Sequence, residues 1–358
     1  MSDQTRQARR NGTIAPGAGE PRHDVVVVGG GAAGLSGALA LARARRSVLV
    51  IDGDRPRNAP ASHVHNFLTR DGTPPSELLA AGRAEVTGYG GEITTGDAVA
   101  AERLDTGGFR VALADGTTVL ARRLLVTTGL VDELPSVPGL AERWGREVLH
   151  CPYCHGWEVR DQPIGILATG PLAAHQALMW RQWSAEVTLF LHTAPDPGEE
   201  EYEQLAARDI AVVDGEVTGL EVTGDRLTGV TLAGGRTVPT RALVVAPRFT
   251  ARADLLTSLG LAPVELERGG EVIGTYIASD PVGATDVPGV WVAGNVTDLM
   301  EQVIGAAAAG LRVASAINAD LIAEDTRRAV AARRDPFSPG REREAAEHRV
   351  RGGSRSGL

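Results

Sequence analysis

The chain of 358 residues contains no lysine, so its 36 basic side chains are all arginine. Without a lysine amine there is no Schiff-base chemistry, and no P-loop lysine can reach a nucleotide phosphate. Cysteine is nearly absent as well, with two in the whole chain, too few for the disulfide framework of a small secreted domain. Aromatic residues make up 4%. No stretch reaches the ~18 uncharged apolar residues of a membrane span. The net charge of −9 argues against nucleic acid as the main partner, because phosphate binding calls for concentrated basic surface. Residues 1–22 are polar and lack an apolar h-region, so no secretory signal is legible and they read as a disordered leader. With the lone cysteine pair, this makes a cytoplasmic location the expectation.

The apolar fraction of 43% is that of a soluble globular protein. The length suits two domains rather than one small core. Glycine, at 44 residues, is abundant, which favours tight βα turns over a barrel or sandwich.

The two cysteines stand together in Cys151-Pro152-Tyr153-Cys154-His155-Gly156-Trp157-Glu158. C-x-x-C spacing lets a disulfide open and close with little backbone movement and often lowers the attacking thiol's pKa into the range of ~3.5–7.5. Half of a zinc site is a second reading, but a tetrahedral site would need two histidines recruited from elsewhere. A purely structural disulfide is a third, although so short a loop gives little chain-entropy stabilisation. No metal is expected.

Asp24 and four valines, Val25 to Val28, form a β-branched run of the kind found in buried parallel strands. They feed into Gly29-Gly30-Gly31-Ala32-Ala33-Gly34, a helical stretch over 35–45, and a second strand over 47–51 closed by Asp52. Strand, glycines, helix, strand and acid in this register are a dinucleotide-binding fingerprint: Gly29 for the turn, Gly31 for close approach of a pyrophosphate, Gly34 for helix–strand packing, Asp52 for a ribose hydroxyl. The bland alternative is a glycine-rich turn in an ordinary α/β fold.

Residues 53–75, with Pro56, Arg57, Asn58, Pro60, His63, His65, Pro74 and Pro75, read as an irregular loop. It either packs locally or meets a bound ligand, and its two histidines have no carboxylate or thiol cluster beside them for a metal. A helix is predicted from Ser76, as N-cap, to about Tyr89. Ala114-Asp115-Gly116-Thr117 lies between two short strands as a hairpin signal. Further strands are expected at 124–129, 164–167, 186–191, 212–213, 227–232, 243–245 and 290–293, with helices at about 172–183 and 302–322. Pro135 and Pro138 mark a linker. Residues 325–358, rich in arginine and glutamate, read as a disordered tail.

From about Asp24 to Ile322 the chain resembles the low-molecular-weight thioredoxin reductase family. The matching motifs are Gly29 to Gly34, Thr127-Thr128-Gly129 in place of A-T-G, the C-x-x-C, and Ala293-Gly294-Asn295-Val296 followed by Gln302-Val303. The resemblance implies an α/β fold of two Rossmann-like three-layer nucleotide-binding domains. A discontinuous FAD domain (23–145 and 250–324) would be interrupted by a C-x-x-C-bearing domain (146–249). It also implies FAD as cofactor and a homodimer. Carried over residue by residue, Gly29, Gly31, Ala32, Ala33, Gly34, Asp52, Asn58, Val99, Thr128, Gly129, Gly294, Asn295, Gln302 and Val303 would hold FAD. Asp52 would meet the adenosine ribose, Asp97 to Val99 the adenine, and Asn295 and Gln302 the isoalloxazine side, with Asn295 in place of an aspartate.

The second domain departs from the family pattern. Where the family carries G-x-G-x-x-A, this chain has Ala168-Thr169-Gly170-Pro171-Leu172-Ala173; where it carries H-R-R, this chain has Leu191-His192-Thr193. Proline removes a backbone donor from the phosphate loop, and the arginines that would pair with a 2′-phosphate are missing. This combination, with the Cys-Pro-Tyr-Cys-His segment, resembles the dithiol oxidases of holomycin and gliotoxin pathways. It implies a small dithiol as substrate, O2 as acceptor and H2O2 as product. Cys154 would lie against the flavin, Cys151 would meet the substrate, and His155 would move protons, its alternative being a histidine merely hydrogen-bonded in the turn. A reductase fed by NADPH or ferredoxin, and a non-catalytic flavoprotein that senses redox state or binds a partner, remain open readings.

Overall fold

The structure, a computed structural model, describes residues 22–334. Most of the expected leader and the last part of the expected tail therefore lie outside the described residues.

The valine-rich strand Arg22–Val28 is central in a seven-stranded sheet because it is apolar on both faces, Val25 to Val27 being fully buried. It pairs in parallel with Val48–Asp52 on one side and Thr118–Val126 on the other. The strand Thr118–Val126 joins the hairpin segment and the 124–126 segment into one piece. Its first half pairs with Phe109–Leu113, antiparallel across the expected hairpin, and its second half with Val290–Val292 in parallel. On one face the helix Ala32–Arg43 packs against the long helix Val303–Arg334, closely enough that a methyl group on Gly310 would collide with the carbonyl of Ala33. By length and composition that long helix would pass for a membrane span. Its Ala306, Ala309, Val313, Ala314, Ile317 and Leu321 instead belong to the core beneath the sheet.

The long helix corrects the reading of 325–358 as disordered from its start: residues 325–334 are helical. The cause is ionic rather than apolar. Asp325 pairs with Arg46 (2.8 Å) and Arg122 (2.5 Å), and Glu324 with Arg123 (2.8 Å), which clamps the helix to the interior strand Thr118–Val126 and to the loop before Val48–Asp52. The 76–89 helix begins one residue earlier than expected, at Pro75, with Pro74 rather than Ser76 at the cap; proline is suited to a first turn, where its missing N–H costs nothing.

The inserted unit is a five-stranded, all-parallel sheet in the order Ala211–Val213, Val187–Phe190, Ile164–Leu167, Ala242–Val244, Val148–Leu149, with a three-stranded meander beside it. Its core already takes in Val137 and Leu140, so its packing begins upstream of residue 146. The chain enters through the strand Leu130–Glu133 and returns through Arg248–Ala251, and these two crossing strands pair with each other. They belong to a four-stranded sheet whose other members are the hairpin Val264–Arg268 and Glu271–Tyr276.

Candidate active site

The crossing strands set the two units around a cleft of about 1210 Å³ that has the glycine turn at one side and the cysteine pair at the other. Of the seventeen residues expected to react or to hold a cofactor, sixteen line it; Gly34 lies behind it. The reason is packing. Gly34 sits so close to the turn that a methyl group there would collide with the carbonyl of Gly29 and lie 2.6 Å from Thr127 Oγ1. Gly29, at φ +107°, makes the turn, and Thr127 Oγ1 donates to the carbonyls of Val28 (3.1 Å) and Gly29 (2.9 Å) from the neighbouring strand end. Gly31 has the opposite surroundings: a Cβ there would meet nothing within 4 Å, and the helix it precedes has no side-chain cap. An uncapped helix start opening on empty space is an anion site, and it fits the pyrophosphate of a dinucleotide flavin.

Asp52, at the end of its strand, is held by Arg83 Nη2 (2.7 Å) with its side chain 15% exposed. Asp97, Ala98 and Val99 line the same end of the cleft, and Val99 is exposed there. At the other end Asn295 is more committed to the protein than its expected ribityl role requires. Its Oδ1 accepts from Arg57 Nη1 (3.2 Å), and its Nδ2 donates to the carbonyls of Asp298 (2.9 Å) and Glu301 (3.0 Å). One lone pair of Oδ1 is left for a ligand. Thr128 Oγ1 donates to the carbonyl of Arg252 (2.6 Å), which ties the Thr-Thr-Gly segment to the return crossing.

Arg57 was legible only as part of a loop. It makes a bidentate pair with Asp132 (2.8 and 2.6 Å), whose side chain is 7% exposed. Removing one partner of a buried pair leaves an uncompensated charge, worth about 3–5 kcal/mol when both are fully buried; Arg57 is 28% exposed, so the expectation is discounted for screening. Arg57→Ala should cost about 2–4 kcal/mol in urea unfolding, with the loss concentrated where the crossing strands meet the cleft. A cost under about 0.5 kcal/mol, the value of a surface pair, would contradict this role.

Cys151 and Cys154 are joined as a disulfide, Cα to Cα 5.3 Å, with Cys151 as N-cap of the short helix Pro152–His155. The backbone N–H groups of Cys154 and His155 both donate to the carbonyl of Cys151 (3.2 Å each), which fixes the loop. From the flavin-type unit, Asn66 Nδ2 reaches the carbonyl of Tyr153 (2.6 Å), and His65 lies between Asp71 (3.4 Å) and Glu158 (3.3 Å). Burial pushes the His155 pKa down, with Glu158 opposing and His65 adding to the shift. Tyr153, 60% exposed, lines the cleft and meets Trp183 edge-on; Trp157 points away from it under Arg160.

Two further groups escaped the sequence. His150 lines the cleft next to Cys151 and packs edge-on against Phe249, and burial followed by the Arg57 charge pushes its pKa down. Its position beside the first cysteine was the one available signal. Glu301 also lines the cleft; burial, then Asp298, pushes its pKa up, and its Oε2 has no hydrogen-bond partner among the described residues. Among the described residues no group of three metal-ligating side chains is found.

A parallel-sheet dinucleotide cleft closed by a redox-capable cysteine pair defines the class: a two-unit disulfide oxidoreductase of flavin type. The chain belongs to the pyridine nucleotide-disulphide oxidoreductase family, whose model matches residues 23–310. It is 33% identical over 77% of its length to thioredoxin reductase aclD of Aspergillus oryzae, covering 88% of that protein. To thioredoxin reductase sirT of Leptosphaeria maculans it is 30% identical, over 84% of this chain and 95% of that one. Among solved structures, HlmI superposes with a TM-score of 0.80 at 48% identity, over 87% of this chain and 96% of that one. An oxidoreductase from Agrobacterium tumefaciens does so at 0.78 and 34%, over 84% and 99%.

Proposed function

We propose that the chain is an FAD-dependent dithiol oxidase: a small dithiol gives up two electrons and two protons, a disulfide is formed, and O2 becomes H2O2. The observation that carries this is the contrast between the two nucleotide sites. One opens an uncapped helix onto the cleft that holds Cys151 and Cys154. The other offers Ala168 and Pro171 in its loop and no arginine after its second strand.

A substrate thiolate attacks the sulfur of Cys151; the bond between Cys151 and Cys154 breaks, and Cys154 leaves as thiolate. The second substrate thiolate attacks the substrate sulfur of the mixed disulfide and expels Cys151 as thiolate, so the product carries the new S–S bond. FAD, when bound, supplies the two-electron link from the reduced pair to O2. His155 takes the proton from the incoming thiol. A neutral imidazole is the required form, and burial favours that form. His150, whose pKa burial also lowers, precedes Cys151 in the chain, lines the same cleft and is a second candidate acceptor.

The sign of the pH dependence follows. A histidine whose pKa is depressed stays an acceptor down to pH values below the ordinary histidine range, so turnover should fall on acidification only below about pH 6.5. Above that value it should rise only with ionisation of the substrate thiol. His155→Gln should lower turnover about 10²-fold or more and remove the histidine limb from the profile. Loss of that limb in His150→Gln alone would assign the proton transfer to His150.

The likeness to thioredoxin reductases aclD and sirT favours a second reading, a reductase of the thioredoxin reductase type. Aerobic stoichiometry separates the two: dithiothreitol turnover should consume one O2 and release one H2O2 per disulfide formed. Turnover that consumes NADPH and no O2 would replace the oxidase with the reductase. A homodimer and a cytoplasmic compartment belong to the same proposal.

A further inference from the structure

The loop of the inserted unit that departs from the family pattern is filled from elsewhere in the chain. It joins the strand Ile164–Leu167 to the helix Ala173–Trp180, whose first turn has no side-chain cap. In an open parallel sheet this is where a nucleotide phosphate sits, drawn by unpaired N–H groups and the helix dipole. Here the hairpin of the four-stranded sheet folds onto it. Its two-residue turn, Gly269 at φ +60° and Gly270 at φ +84°, has the Gly-Gly chemistry of a tight hairpin. A Cβ on Gly269 would lie 3.2 Å from Leu172 Cδ2 and 3.8 Å from Pro171 Cγ, so the turn rests on the loop. The carboxylate of Glu271, the first residue after the turn, sits over Gly170 so closely that any side chain at 170 would collide with its Oε2.

We propose that Glu271 is a specificity-determining residue: its carboxylate occupies the phosphate position of the inserted unit's loop, and a nicotinamide dinucleotide is thereby refused as electron donor. The proposal deepens the oxidase reading, on which it rests for the claim that the electrons come from a dithiol. It goes beyond the missing arginines. Those account for weak pairing with a 2′-phosphate, whereas a resident carboxylate repels any phosphate, NADH included. The hairpin is held in place by its root: Glu271–Tyr276 pairs with the return strand Arg248–Ala251, which pairs with Leu130–Glu133. The backbone of Glu271 is therefore held over the loop as long as the two units are joined, while its side chain stays exposed. Arg268, across the turn from Glu271, lines the cleft. It is the cation left to favour an anion once the carboxylate is neutralised.

The test is calorimetric titration of inorganic pyrophosphate, and separately NADH, into flavin-loaded wild type, Glu271→Gln and Glu271→Arg. Wild type should bind neither at millimolar concentration. Glu271→Gln should bind pyrophosphate about tenfold or more tightly than wild type, since a like charge a few ångströms away is removed, and Glu271→Arg more tightly still. Dithiol turnover of both variants should stay within about twofold of wild type, because Glu271 touches neither cysteine. Either folded variant suffices. Equal pyrophosphate affinity in wild type and variant, whether both bind or neither does, would overturn the proposal, as would NADH binding by wild type. The oxidase reading fails separately, through absence of dithiol-driven flavin reduction, a readout the pyrophosphate titration does not use.

Discussion

Cys151→Ser and Cys154→Ser should each lower dithiol turnover by about 10³-fold or more while the flavin stays bound, because in the proposed oxidase the electron acceptor for the substrate is the bond between these two sulfurs and neither variant can form it. The remaining thiols should differ. In Cys154→Ser the outer thiol of Cys151 should exchange with an aromatic disulfide probe and hold it as a stable mixed disulfide, visible as a mass increase. In Cys151→Ser the inner Cys154 should label more slowly. The short helix Pro152–His155 and its two hydrogen bonds to the Cys151 carbonyl do not depend on the sulfurs, so the loop should survive both changes. If the bond were merely structural, the result would be inverted: turnover retained and unfolding shifted. The effect on stability should be small, because a loop this short constrains the unfolded chain little.

The second large effect separates two glycines three residues apart. Gly34→Val should yield little folded protein and no yellow colour. Even a methyl group there collides with the Gly29 carbonyl and lies 2.6 Å from Thr127 Oγ1, and backbone cannot step aside as a flexible side chain can. Overpacking of this kind costs about 1–3 kcal/mol in a core that can adjust, and more where it cannot. Gly31→Val should fold with a melting temperature close to wild type, since a Cβ at that position meets no protein atom within 4 Å. It should nonetheless purify with little flavin, because that open space at an uncapped helix start is where the pyrophosphate of FAD would approach. Equal flavin content in Gly31→Val and wild type would remove the pyrophosphate from this helix start.

The contrast also explains why this part of the chain was readable. A buried valine strand, a turn that needs glycine at fixed positions and an acid closing the next strand are local constraints, and local constraints leave a spacing in the sequence. The hairpin at 114–117 was legible for the same reason. The crossing strands Leu130–Glu133 and Arg248–Ala251 were not: each is four residues long, and they pair across more than a hundred intervening residues. The helix Glu199–Ala207 escaped because it buries only Leu205 fully, so its apolar face leaves almost no period. Residues 325–334 looked disordered because what holds the helix at that point is charge, supplied by Arg46, Arg122 and Arg123 from remote strands and loops.

The site divides along the same line. The cysteines, Gly31 and Asp52 announce themselves by spacing. The surroundings of His150 are set by Phe249 and Arg57, and the commitment of Asn295 by Arg57, Asp298 and Glu301. Glu271, which lies over Gly170, comes from a hairpin about a hundred positions downstream. The departure from the nucleotide motif was thus visible in the sequence as Ala168 and Pro171, while the carboxylate that lies over Gly170 was visible only in three dimensions.

The measurement that bears most directly on the central claim is anaerobic. The flavin-loaded protein is mixed with excess NADPH and, separately, with dithiothreitol, and the flavin absorbance is followed before air is admitted. Bleaching by the dithiol alone, reversed by air with release of H2O2, is the predicted result. Rapid bleaching by NADPH would contradict it and would make the chain a reductase.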